Sequence, residues 1–337
     1  MRARERVTRA IEFLQPDHLP LRFASDPERS DYVSLKLDPP AGWQPARPGL
    51  DEWGCYWQAH AVTSRGQVTG HPLEDWSALE RYAFPDPDTP GRFASGMALA
   101  AQCKDRYLVG SVGIMGLNLL TFLRGFENLM VDLLTERESV DYLLQRILAF
   151  MKGIAAGWAR VGAQAVSVAD DLGTEQGTLI HPDLWREIFQ PVYTDCCAYV
   201  HSLGMHAVLH SCGNVWDIIG DLIEAGFDVL NLEQPRVFGL ERLGATFAGR
   251  VCFLTNPDSQ TVLPSATPAE VAAETELVVR TLATEAGGII GNADCTWNHG
   301  YVPTANLEAM AETFEALRAR PWGDWPPRFG LAALGRD

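Results

Sequence analysis

Two hydrophobic periods alternate along the second half of the chain. Amphipathic stretches with apolar residues three and four apart end at a glycine, and a short continuous apolar run follows within a few residues. Gly162 leads into AVSVAD (165–170), Gly204 into AVLHS (207–211), Gly226 into DVLNLE (228–233), Gly249 into VCFLTN (251–256) and Gly287 into GIIGN (288–292). Glycine tolerates the left-handed conformation that closes a helix. Continuous apolar runs suit strands buried on both faces. Residues 19–24 and 107–113 read as two further strands, which makes seven.

The stretches between the strands carry helix signals. Asn214 is placed to cap a helix whose apolar stripe is Val215, Ile218, Ile219, Leu222 and Ile223. Thr267, Pro268 and Glu270 form a capping-box start with proline at the first helical position. Residues 126–161 read as one or two helices with a break near 135–139. Strands that alternate with helices imply βαβ units and parallel pairing. A (β/α)8 barrel needs an eighth strand, which the pattern does not locate. A doubly wound open sheet is the alternative, but no GxGxxG or P-loop motif supports a nucleotide-binding version.

The chain therefore reads as one barrel domain over residues 1–337. Residues 25–100, rich in Pro, Trp and Gly, read as an excursion from it. Within that excursion, Tyr56 to Val68 around Ser64-Arg65-Gly66 predicts a hairpin.

Composition narrows the function. The formal charge is -16, which disfavours nucleic acid and anionic membrane surfaces as partners. No run approaches a membrane span. Met1 to Leu21 is charged and amphipathic, without the apolar stretch and cleavage site of a signal peptide, so a cytoplasmic location is expected. Seven cysteines in a long chain argue for thiol or metal chemistry rather than a disulfide framework.

Parallel barrel strands all point their carboxyl ends at one face. His210 and Cys212 end the strand from Ala207, Glu233 closes the strand from Asp228, and Cys295 follows the strand from Gly288. Convergence of His210, Cys212 and Cys295 would supply three zinc ligands. The fourth position is left to water, substrate or Glu233, a pattern of catalytic rather than structural zinc. Soft thiolates disfavour magnesium and calcium. Cys252, Cys196 and Cys197 read as packing residues. Asp170 and Asp171, at the end of another strand, either hydrogen-bond substrate and move protons or cap a helix. Asn118 and Asn256 occupy equivalent strand-end positions as candidate substrate contacts. His299 is a candidate proton donor or alternative ligand, and Trp297 lies beside Cys295 as a candidate substrate contact.

The segments RERVTRAIEFLQPDHLPL, ADDLGT, HSCGNVWDIIGDLIEAGFDVLN and GNADC resemble the uroporphyrinogen decarboxylase superfamily over residues 2 to 318. The resemblance implies a (β/α)8 barrel and two branches of chemistry. The decarboxylases bind substrate carboxylates through an RQAGRY motif near the first strand. Here that region reads LRFASDPERSDY, which keeps only Arg22 and Arg29 nearby. The corrinoid-linked methyltransferases carry zinc on a His-x-Cys pair and a later Cys, which His210, Cys212 and Cys295 match, with Glu233 where that branch often has an acid. The resemblance thus implies a zinc-dependent methyltransferase. Its methyl group would move between a small, methoxylated aromatic substrate and a corrinoid. Transfer from methylcobamide to a thiol and a metal-independent, decarboxylase-like lyase are the alternatives. Trp43, Trp53, Trp57, Trp76 and Trp297 favour an aromatic pocket and the demethylating direction. No DxHxxG cobalamin-ligand motif occurs, so a corrinoid would arrive on a partner protein. Whether the chain acts alone or as a homodimer is left open.

Overall fold

The computed structural model describes residues 1–58, 66–294, 300–324 and 327–328. The chain opens with helix α1 (Ala3–Ile11), followed by strands β1 (Leu21–Arg22) and β2 (Tyr32–Leu35). An antiparallel pair, β3 (Tyr56–Gln58) and β4 (Gln67–Gly70), comes next, then α2 (Ala94–Gln102) and β5 (Tyr107–Ile114). Helices α3 (Gly116–Arg124), α4 (Phe126–Thr135) and α5 (Arg137–Val161) lead to β6 (Ala165–Ala169). Beyond it come α6 (Pro182–Ile188), α7 (Gln190–Ser202), β7 (His206–Ser211), α8 (Ile219–Glu224), β8 (Val229–Leu232), α9 (Leu240–Phe247), β9 (Cys252–Thr255), α10 (Pro268–Leu282), β10 (Ile289–Asn292) and α11 (Thr304–Arg318).

Eight strands form one parallel sheet in the order β1-β10-β9-β8-β7-β6-β5-β2. The sheet curls into a nearly closed (β/α)8 barrel. Its two end strands meet where the Asp31 amide donates to the Leu21 carbonyl at 2.8 Å. All seven expected strands are present, and β2 is the missing eighth. It hides in the excursion because no helix or closing glycine precedes it. The break expected in the long helical segment falls at Glu136, between α4 and α5. Thr267 and Glu270 form the capping box of α10.

Alternation along the strands sorts side chains between the lumen and the surrounding helices. The lumen floor is apolar: Tyr32, Tyr107, Val109, Ala165, Val208, Val229, Cys252, Leu254 and Ile290 pack together, and Val7 and Ile11 of α1 seal it from below. One step up the same faces the lining turns polar. Arg22, Ser34, Ser111, Ser167, His210, Asn231 and Asn292 continue the inward positions of their strands. The outward positions join a second, larger core under the helices, which takes in buried Cys196 and Cys197 of α7. Gly110 belongs to this packing. The Trp158 indole lies against β5 with its Nε1 donating to the Ser111 carbonyl at 2.8 Å, and a Cβ at position 110 would stand 2.2 Å from the ring.

Arg124 ties the excursion to the barrel by donating to the Leu73 and Glu74 carbonyls, and charge pairs brace each part from within. Arg92, fully buried, grips Glu52 through both carboxylate oxygens, and Arg124 pairs with Asp132. No helix among the described residues is long and apolar enough to cross a membrane.

Candidate metal centre

Strands β7 and β8 run in register with His210 opposite Asn231. Both side chains face the lumen at the carboxyl-end rim. The Asn231 amide nitrogen donates to the Leu254 carbonyl at 2.8 Å, which leaves its oxygen facing His210 Nδ1 at 2.9 Å. A carbonyl oxygen can only accept, so Nδ1 carries the proton and Nε2 keeps its lone pair. That lone pair points at Cys212, with Nε2 and Sγ 3.6 Å apart.

The loops after β6 and β7 hold Cys212 in place. Its amide donates to Asp171 Oδ1 at 2.8 Å. Leu172 N donates to Ser211 Oγ at 3.1 Å, Asn214 N to the Thr174 carbonyl at 2.6 Å, and Gly213 N to Gln234 Oε1 at 2.7 Å. Gly213 adopts φ +80°, and a Cβ there would fall 2.2 Å from the Gly173 carbonyl oxygen. Only a glycine lets the two loops approach backbone to backbone.

Asp171 joins the cluster. Its Oδ1 lies 3.8 Å from His210 Nε2, and one ligand atom from each of Asp171, His210 and Cys212 falls within 4.8 Å of the others. Glu233, nearly buried after β8, lies close enough for its charge to act on Cys212. Burial pushes the Cys212 thiol well above its ordinary pKa, and Asp171 and Glu233 push it further. Negative charge and a neutral thiol around an imidazole lone pair suit a divalent cation, which converts a coordinating thiol to thiolate. Geometry agrees with zinc. Bonds of about 2.3 Å to sulfur and about 2.0 Å to nitrogen at a tetrahedral angle would set the two ligand atoms about 3.5 Å apart, close to the separation found.

The other expected residues take different places. Asp170 is fully buried behind the rim. Its carboxylate accepts from Leu117 N at 2.9 Å, Asn118 N at 2.8 Å and Tyr193 Oη at 2.5 Å, and so caps α3. Burial nevertheless raises its pKa to about 7 against the pull of those bonds. Asn118 turns its side chain to Asp171, accepting from its amide at 2.6 Å and donating to its carbonyl at 3.2 Å. Asn256 is buried, donates to the Pro257 carbonyl at 2.7 Å and accepts from Asn292 Nδ2 at 3.0 Å. Cys295, Trp297 and His299 lie outside the described residues. Asn231 and Gln234 were not anticipated. The only signal for Asn231 was a polar residue inside the apolar run DVLNLE.

A cavity of about 450 Å³ opens at the same end of the barrel, beside β2, β5 and β6. Trp53, Trp57, Phe122 and Phe150 give it aromatic walls. Trp76 lies elsewhere, its ring under the Arg124 guanidinium.

Comparison with known proteins agrees with this architecture. The uroporphyrinogen decarboxylase (URO-D) family matches the sequence over residues 58–320. A methyltransferase from Methanosarcina mazei has a similar solved structure, with a TM-score of 0.71, 18% identity, and coverage of 94% of this chain and 99% of that one. Two further solved structures are more distant. The endo-β-1,4-xylanase of Gloeophyllum trabeum has a TM-score of 0.41 at 15% identity, covering 68% of this chain and 83% of that one. The IOLI protein with a bound zinc atom has a TM-score of 0.40 at 10% identity, covering 86% of each chain. No curated protein matches the sequence.

Proposed function

The chain belongs to the uroporphyrinogen decarboxylase (URO-D) family, and on that premise we propose that it is a zinc-dependent methyltransferase. Its methyl group moves between a small methoxylated aromatic substrate and a corrinoid carried on a separate protein. The observation that carries this reading is the 3.6 Å approach of His210 Nε2 to Cys212 Sγ, with the imidazole tautomer held by Asn231. His210, Cys212 and Cys295 hold the metal, with Glu233 as the candidate fourth ligand and Asp171 beside it. Bound there, zinc supplies positive charge to the oxygen or sulfur atom at which the methyl group is exchanged. Asp171 fixes the Cys212 backbone, and Asn118 fixes Asp171. Glu233 and His299 are the groups assigned to proton transfer at the substrate, and Trp297 to substrate contact. Asp170 and Asn256 act through the groups they position. The protein works in the cytoplasm.

Aromatic walls around the 450 Å³ cavity support the demethylating direction over transfer to a thiol. A decarboxylase-like lyase would use a group of arginines at the mouth. Arg29 instead pairs with Glu315 at 2.7 Å and stacks on Phe23.

Metal content tests the reading first. About one zinc per chain in the wild type, lost in Cys212→Ser and in Cys295→Ser, is the expected result. Full zinc in both variants would sink the site. Methoxylated aromatics should then support methylation of a reduced corrinoid protein, and turnover that survives rigorous zinc removal would sink the metal's role.

A further inference from the structure

Tyr193 stands on α7, in the layer of helices outside the barrel, yet its phenol reaches a strand end at the rim. The buried ring packs nearly parallel to Trp185, with centroids 6.3 Å apart, and lies 5.5 Å from Phe227. Its Oη donates to Asp170 Oδ2 at 2.5 Å. Gly116 makes room for that meeting. Its φ is +61°, and a Cβ there would stand 2.0 Å from Tyr193 Oη and 2.2 Å from Asp170 Oδ2.

From Asp170 a chain of bonds runs to both described candidate ligands. Oδ2 also accepts from Leu117 N at 2.9 Å, and Oδ1 accepts from Asn118 N at 2.8 Å. Met115, at the N-cap of α3, makes no side-chain cap, so the start of the helix depends on this carboxylate. Asn118 hands the position on. Its side chain accepts from Asp171 N at 2.6 Å and donates to the Asp171 carbonyl at 3.2 Å. Asp171 Oδ1 in turn accepts from Cys212 N at 2.8 Å. The Asp170 amide donates to the His210 carbonyl at 3.0 Å. A carboxylate turns freely about its last torsion. The two amides of α3 hold it from one helix, and the phenol of Tyr193 holds it from another.

We propose that Tyr193 is a positioning residue for the metal centre: its hydroxyl, acting through Asp170 and Asn118, sets where Asp171 and Cys212 stand. This deepens the methyltransferase reading and rests on it for the identity of the metal, while the chain of bonds belongs to the folded protein itself.

Tyr193→Phe removes the hydroxyl and keeps the ring. Trp185→Phe is the comparison, because it trims the same buried stack while its Nε1 has no partner among the described residues, so no bond of the chain is lost. Hydrogen exchange is measured first on metal-free protein. Relative to the Leu209 amide of β7, the Asp171 and Cys212 amides should exchange about tenfold faster or more in Tyr193→Phe. In Trp185→Phe they should keep the wild-type ratio. Zinc, titrated by chelator competition, should bind Tyr193→Phe about tenfold more weakly than wild type and bind Trp185→Phe normally. Asp170→Asn cuts the chain one bond further on and should show the same local quickening, which keeps the test open where Tyr193→Phe does not fold. Adding Tyr193→Phe to Asp170→Asn should change zinc affinity little more, because both cut one chain. Wild-type amide ratios in Tyr193→Phe or Asp170→Asn, equal losses in Trp185→Phe, or effects of the two substitutions that multiply would overturn the positioning role. A wild type that holds no zinc but shows the quickening keeps that role and loses the metal reading. A wild type that holds zinc, with the ratios unchanged in the variants, keeps the metal reading and loses the role of Tyr193.

Discussion

His210 Nδ1 stands 2.9 Å from the side-chain oxygen of Asn231, whose own amide nitrogen is committed to the Leu254 carbonyl. This pair leaves Nε2 of a rim histidine with the lone pair that a metal ligand would need, because it chooses which ring nitrogen carries the proton. Outer partners of ligating histidines typically change metal affinity about 10- to 100-fold when removed. Asn231→Ala should therefore raise the zinc dissociation constant by about that factor, measured by chelator competition. Its unfolding free energy should fall by about 1–3 kcal/mol, since Leu254 loses a buried donor. Unchanged zinc affinity would mean that the imidazole orients itself.

Gly213 makes a second prediction. Its φ of +80° and the 2.2 Å between a would-be Cβ and the Gly173 oxygen leave no room for a side chain. Gly213→Ala should part the loops after β6 and β7 and withdraw Cys212 from Asp171. We expect weaker zinc binding together with a loss of about 1–3 kcal/mol of stability. Gly162→Ala is the control. That residue also has positive φ, at +91°, but a Cβ there meets nothing within 4 Å, so stability should fall and zinc affinity should hold.

The sequence and the structure meet unevenly, for physical reasons. Strands β6 to β10 were legible because burial on both faces makes them continuous apolar runs bounded by glycine-capped helices. β2 was not, because its outward Val33 and Leu35 alternate with the exposed lumen residue Ser34 in a region without a flanking helix. His210 and Cys212 could be found as a spaced pair of ligand types. Asn231 could not, because its meaning comes from the register that sets it opposite a residue 21 positions earlier. Asp170 and Asp171 read as equivalent acids, yet the strand end divides them. One turns inward to cap α3, and the other faces His210 and Cys212.

The pair Arg92–Glu52 predicts how firmly the excursion is held together within itself. Arg92 is fully buried, so Glu52→Gln leaves its charge without a counter-ion. Removing one partner of such a pair costs about 3–5 kcal/mol, whereas replacing both by apolar residues can be nearly neutral. Denaturant titration should show a loss near the low end of that range for Glu52→Gln, because Glu52 keeps some solvent contact. The double variant Arg92→Met/Glu52→Leu should recover much of it. Because the 450 Å³ cavity is lined by Glu52, Trp53 and Trp57, the single variant should also weaken ligand binding there.

Asp170 gives the protein a pH dependence of definite sign. Burial raises its carboxyl from the ordinary 3.8 to about 7, despite the hydrogen bonds from Tyr193, Asn118 and Leu117. Between those values the folded chain holds a proton that the unfolded chain releases. Folding is therefore favoured most, as far as this group is concerned, below about pH 4, and the contribution is lost as pH rises towards 7. A shift of that size corresponds to about 4 kcal/mol across the window. Other groups also titrate there, so the informative quantity is the difference in unfolding free energy between wild type and Asp170→Asn, which cannot ionise. From pH 4 to 8 the wild type should lose stability relative to the variant by up to about 4 kcal/mol, measured by urea titration at each pH. A flat difference would mean that the three donors keep Asp170 ionised throughout. A difference of opposite slope would mean that they hold it below the ordinary carboxylate range, and the cap would then strengthen as pH rises.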